Sequence, residues 1–214
     1  MVVPLQLEPY ASRFVVFTDE TRSLARTPAV AALPAPVLLA AGWRLQFPDE
    51  PSPQDFGPLR SWTEDPSRLY FSGVATYIRE ARVPEALVGG RAGLRLDFGE
   101  PRPVPPEDLK NGMRAWLDAP VREAAVISIN GTRVGSVWCP PYAIDVTGTI
   151  RAGSNSIRID VANLAINAMA GRPLPSYRLL NARYGTRFEA QDMDKVRPQP
   201  SGLLGEIRLV PFER

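Results

Sequence analysis

The side chains able to do chemistry in this chain are few in kind. None of its 214 residues is histidine, which removes Ser-His-Asp and Cys-His catalysis and every His-ligated metal site. The single cysteine, Cys139, removes an internal disulfide and any Cys-x-x-Cys site. With neither base nor cation beside it in W-C-P-P-Y, Cys139 reads as a small packed residue rather than a nucleophile. Chemistry would therefore rest on carboxylates, tyrosine, lysine or arginine. Glu64-Asp65 are sequence neighbours and Asp192/Asp194 stand two apart, and nothing in their spacing sets either pair apart from surface acids. Trp138 and Tyr142 bracket a rigid Cys-Pro-Pro loop, which makes either a ligand shelf or a packed corner. Trp62 with Glu64 and Asp65 forms a second aromatic–acidic loop, or simply a capped turn ahead of Pro66. Asn163 and Asn167 stand four apart, so a helical turn would put both amides on one face, although Asn163 also suits a cap. Gln191-Asp192-Met193-Asp194 is a further polar cluster, with a solvated acidic turn as its alternative reading.

The elements that would position these residues read as strands. Asn130-Gly131 lies between two alternating runs and predicts a two-residue hairpin turn with both central residues at positive φ. That turn sets Ile129 opposite Thr132 and Ile127 opposite Val134, with Ser128 and Arg133 on the other face. The second strand then delivers Trp138 into its proline loop. Alternation recurs in Trp43–Phe47 and Ile157–Val161 and is strict in Leu94–Gly99, while Phe71–Val83, Met113–Leu117, Ala143–Thr147 and Ser201–Val210 read as further strands. Residues 1–17 read as two short strands broken by Pro9. Residues 18–42 read as a proline- and alanine-rich linker ending in a strand. Residues 163–200 are the least patterned, with one short helix over 164–170 ended by Gly171. A loop of that length is usually functional or disordered, and its aromatics and arginines argue against disorder.

Bulk composition agrees with this pattern. Hydrophobic residues make up 44% and charged ones 22%, enough for a sizeable core, while Pro 23 and Gly 16 suit many short strands joined by turns. A net charge of +2 is too small to argue for nucleic acid or an anionic membrane. No apolar run reaches the roughly 20 residues that span a bilayer, and the first ten residues lack the charged start and apolar core of a signal peptide. The expected fold is all-β: about eight strands with long crossovers, favouring a β-sandwich of jelly-roll type.

Several motifs occur here in an order that resembles a known module. They are F-S-G-V-A-T-Y-I at 71–78, L-R-L-D-F-G at 94–99, V-I-S-I-N-G-T-R-V-G at 126–135, A-G-S-N-S-I-R-I-D-V at 152–161 and S-G-L-L-G-E-I-R-L at 201–209. Together they resemble the galactose-binding-like jelly roll, the sugar-binding domain of family 2 glycoside hydrolases. S-W-T-E-D-P-S at 61–67, W-C-P-P-Y at 138–142, A-N-L-A-I-N-A at 162–168 and L-L-N-A-R-Y-G-T-R-F-E-A-Q-D-M-D at 179–194 are similar to the C-terminal region of bacterial α-L-rhamnosidases of glycoside hydrolase family 106.

The resemblance covers about residues 42–214, with 1–41 looking like the end of a preceding β-domain plus linker. It implies an accessory module whose partners are a rhamnose- or galactose-like sugar and the catalytic domain of a parent enzyme. That enzyme would be periplasmic or extracellular. Hydrolytic carboxylates in that family sit on a separate barrel domain, so no catalytic residue is expected here. No cofactor is implied, although sandwiches of this type sometimes carry calcium. The sugar-contacting set expected on this basis is Trp62, Glu64, Trp138, Tyr142, Asn163, Asn167 and Asp192. For Asp192 the resemblance implies a side chain reaching a neighbouring active site, as an aspartate does in the Q-D-M of family 2 β-galactosidases. Here D-K-V-R-P-Q-P separates Q-D-M from S-G, which departs from that pattern. A free-standing carbohydrate-binding protein and a purely structural domain remain the alternatives.

Overall fold

A computed structural model describes residues 12, 14, 15, 17, 33–88, 90, 92–104, 117–174, 176–186 and 196–213. In chain order the first strands are β1 (Val37–Leu38), β2 (Trp43–Gln46), β3 (Gln54–Gly57), β4 (Val74–Val83) and β5 (Gly93–Asp97). Short strands β6 (Arg102–Pro103), β7 (Leu117–Asp118) and β8 (Val121–Arg122) follow, then the hairpin β9 (Ala124–Ile129) and β10 (Thr132–Val137). The chain continues through β11 (Ala143–Asp145), β12 (Gly153–Ala162), helices α1 (Ile166–Ala170) and α2 (Arg178–Tyr184), and β13 (Gly202–Leu203) to β14 (Arg208–Phe212).

Two antiparallel sheets enclose one core, as the alternation predicts. One has the order β10-β9-β12-β4-β2-β3 and the other β1-β14-β5-β11. Consecutive elements repeatedly change sheet, so strands distant in sequence become neighbours. β4 and β12 form the spine, paired over ten residues from Gly153↔Val83 to Ala162↔Val74. Their inward residues Ala75, Tyr77, Ala81, Val83, Ile157, Ile159 and Val161 are buried against Leu94, Leu96, Phe98 and Leu209 of the opposite sheet. Each such valine, leucine or isoleucine contributes about 1.5–3 kcal/mol by leaving water. At one end Trp62, Phe47, Phe71 and Tyr77 pack mostly edge-to-face, with Phe47–Phe71 centroids 4.9 Å apart.

The hairpin forms at the expected turn, with Asn130 at φ 52° and Gly131 at φ 80°. Its register differs from expectation two residues on. Thr132↔Ile129 and Arg133↔Ser128 hold, but a bulge then sets Gly135, not Val134, opposite Ile127. A Cβ at Gly135 would stand 2.6 Å from Ile144 Cδ1, so a side chain there would force the Ile144 terminal methyl to move where the bulged strand approaches β11. The strand expected over 201–210 is two, β13 paired with β8 and β14 with β5, separated where Gly205 presses against the Phe98 backbone. The expected helix at 164–170 is present as α1, closed by Gly171, while α2 had no periodic signal. Phe14, Val15 and Phe17 lie outside any strand, and of the expected strand at 113–117 only Leu117 is among the described residues.

Candidate functional site

Three of the expected contact residues, Trp62, Asn163 and Asn167, meet at one end of the sandwich, and there the structure gives them a different task. Ser61 caps a 3-10 turn at Trp62–Glu64, accepting from the Thr63 amide at 3.2 Å. Its Oγ also accepts from the Ser201 amide at 2.9 Å. Asn163 donates to Phe71 O at 2.9 Å and Ser201 Oγ at 3.0 Å, and accepts from the Gly73 amide at 2.9 Å. Asn167 donates to Gln199 O at 3.0 Å and Ser201 Oγ at 3.1 Å, and accepts from the Gln199 amide at 2.9 Å.

The two amides thus converge, not across a helix face, since Asn163 precedes α1, but on one serine hydroxyl. Both donor hydrogens of each are used. Asn167 is fully buried and Trp62 is 1% exposed, so neither offers surface to a ligand. They fasten the segment at 199–201 onto the loops at 61–62 and 71–73. Glu64 is exposed and pairs with Arg60 at 3.8 Å. Asp65 makes the capped turn before Pro66: its carboxylate accepts from the Ser67 amide and hydroxyl, both at 2.8 Å, and those bonds hold it below the usual carboxylate range.

Trp138 is 70% exposed and follows the inward-facing Val137, so its indole leaves the outer face of the six-stranded sheet rather than closing the core. The same outer edge carries Val74, Ala162 and Ala124 in register, and one row inward Asp160 accepts from Thr76 Oγ1 at 2.6 Å and Arg158 Nε at 3.0 Å. Tyr142 is half-buried against the core. The Trp138–Tyr142 loop therefore presents one open aromatic face. Asp192 and the rest of Gln191–Asp194 lie outside the described residues.

A concave site lies elsewhere, on the outer face of the four-stranded sheet. This cleft of about 560 Å³ was not anticipated from the sequence. Its floor is Arg95 and Asp97 of β5 with Arg208 and Val210 of β14, the outward positions of two paired strands. Its walls bring Glu100 and Arg102 from one side, Asp118 and Arg122 from another, and Glu206 from the turn before β14. The charges alternate as neighbours. Arg95 Nε stands 3.5 Å from Asp97 Oδ2, Arg122 pairs with Asp118 and with Glu123 at 3.7 Å, and Arg208 pairs with Glu206. Gly205 holds one wall close: a Cβ there would sit 2.0 Å from the Phe98 carbonyl oxygen. In the sequence the outward residues of β5 and β14 read only as solvent-facing positions. The walls come from segments far apart along the chain.

No family model matches this chain. The structure is similar to the rhamnosidase from Novosphingobium sp. PP1Y, with a TM-score of 0.58 and 27% identity over 89% of this chain and 16% of that one. A β-glucuronidase from an uncultured Clostridium sp. shares the fold at a TM-score of 0.54 and 16% identity, over 89% of this chain and 31% of that one. In sequence, 147 residues are 29% identical to the "Putative beta-glucuronidase" of Formosa agariphila, covering 66% of this chain and 11% of that protein. The chain thus spans a small part of the length of the relatives it matches. It is an all-β sandwich of the kind associated with glycoside hydrolases.

Proposed function

We propose that this chain is an accessory, carbohydrate-contacting module of an α-L-rhamnosidase-type glycoside hydrolase of family 106. In this reading it is a galactose-binding-like jelly roll from the C-terminal region of such an enzyme. It packs on the catalytic domain, supports it, and offers polar surface to a sugar, while the bond-breaking carboxylates belong to the catalytic domain. The observation that carries the reading is the likeness to the Novosphingobium rhamnosidase along 89% of this chain. Local chemistry is consistent with it. Asp49, Asp65, Asp97 and Asp160 are each held by a neighbouring amide, hydroxyl or guanidinium, an arrangement for structure rather than for proton transfer.

Among the described residues the cleft, Trp138 and the exposed Glu64 are open to a sugar, whereas Asn163, Asn167 and Trp62 are committed to the fold. Incubation of the chain with an aryl α-L-rhamnoside should release no aglycone, and turnover by the purified chain would overturn the accessory reading. Calorimetric titration with L-rhamnose and D-galactose tests the carbohydrate part. A reading frame upstream of the Met1 codon that encodes a barrel domain would be the expected genomic context.

A further inference from the structure

Resting on the carbohydrate reading above, we infer that the cleft on the four-stranded sheet takes a neutral, hydroxyl-rich sugar and discriminates against uronic acids. Its lining holds four arginines and four carboxylates, so it carries no net charge to attract an anion. The guanidiniums of Arg95, Arg122 and Arg208 each lie beside a carboxylate, while the buried Nε of Arg95 and of Arg122 has no hydrogen-bond acceptor among the described residues. A sugar carboxylate entering here would tip the balanced lining to a net negative charge and stand among four other carboxylates. A hydroxyl meets neither obstacle. It accepts from a guanidinium and donates to the neighbouring carboxylate at once, leaving the ion pair and the charge balance intact. Arg102 and Glu100 at the rim are exposed and have no side-chain partner among the described residues, which leaves one donor and one acceptor group for such a ligand. Leu204, Val210 and Pro120 supply apolar wall for the C–H side of the ring. The volume lies within the range of about 300–1,000 Å³ usual for small-molecule sites.

The test is a calorimetric titration of the chain with L-rhamnose, D-galactose, D-glucuronate and D-galacturonate, at about 50 and about 500 mM salt. A neutral sugar should bind, at both salt concentrations alike, and more tightly than either uronate. Arg102→Met and Arg208→Met, both at exposed positions, should each weaken that binding about tenfold, the loss expected for a hydrogen bond to a charged group. Glu100→Gln makes the lining net positive and should narrow the gap to the uronates, an effect that salt then reverses. Tighter binding of a uronate to the unaltered chain would overturn the inference while leaving the carbohydrate reading standing. Neutral-sugar binding untouched by both arginine variants would also overturn it, by placing the sugar elsewhere. Absence of binding by all four sugars would remove the inference and the proposed sugar contact together.

Discussion

Ser201 shows how much a single polar residue can be asked to hold. Its Oγ receives hydrogen bonds from both Asn163 and Asn167 and lies within 3.0 Å of Gln199 O, while its amide reaches Ser61. The residues concerned are buried or half-buried, so removing a partner leaves donors and acceptors with nothing to replace it. Asn167→Ala should accordingly destabilise the domain by about 2–4 kcal/mol in urea denaturation. A cost below about 0.5 kcal/mol, the range of ordinary surface substitutions, would show that the fastener carries no weight. Trp138 is the opposite case. It lies largely in solvent, so Trp138→Ala should leave the denaturation midpoint nearly unchanged and reduce the red-edge fluorescence that an exposed indole contributes. A large loss of stability would mean that the indole packs after all.

Among the elements, the hairpin is tied down at its turn as well as along its strands. Asn130 Nδ2 donates to Asn155 Oδ1 at 2.9 Å, and its Oδ1 accepts from the Ser156 amide at 3.0 Å, so the turn is stitched to the start of β12. Asn130→Gly keeps the left-handed backbone and loses only the stitches, whereas Asn130→Ala loses both. Alanine should therefore be the worse replacement by about 1 kcal/mol, and equal costs would show that backbone conformation at the turn contributes nothing. Helix α2 sits at the other extreme. It spans seven residues, none of them buried, with Leu179 at 85% exposure. So short a helix without a buried face has little to hold it, and its amides should exchange with deuterium orders of magnitude faster than those of β12. Protection in α2 equal to that in β12 would contradict this account.

For the whole molecule, the response to pH follows from which groups the fold perturbs. Hydrogen bonds from Arg68 to Asp49, and from the Ser67 amide and hydroxyl to Asp65, lower both carboxyl pKa values below 3.8. Stability from a depressed carboxyl is present above its unfolded value and lost as pH falls through the folded one, so a decline is expected below about pH 4. Burial pushes the Tyr77 hydroxyl well above its ordinary value of 10.0. Its contribution is complete below that value and is lost as pH rises beyond it. Thermal melts should thus be flat from about pH 5 to 9 and fall on both sides, with Tyr77→Phe blunting only the alkaline limb. A midpoint that moves steadily through neutrality would require a group not identified in this fold.

The amino-acid sequence by itself determined the class of fold, the positions of the long strands and the Asn130-Gly131 turn, because period-two burial and positive φ are local properties written in adjacent residues. It also marked the asparagines as important, but not what they bind. Whether an amide faces a sugar or Ser201 depends on a loop more than thirty residues away. The bulge at Gly135 and the cleft were hidden for the same reason. A close approach between β10 and β11, or four guanidiniums and four carboxylates gathered from separate strands and turns, exists only once the two sheets have packed.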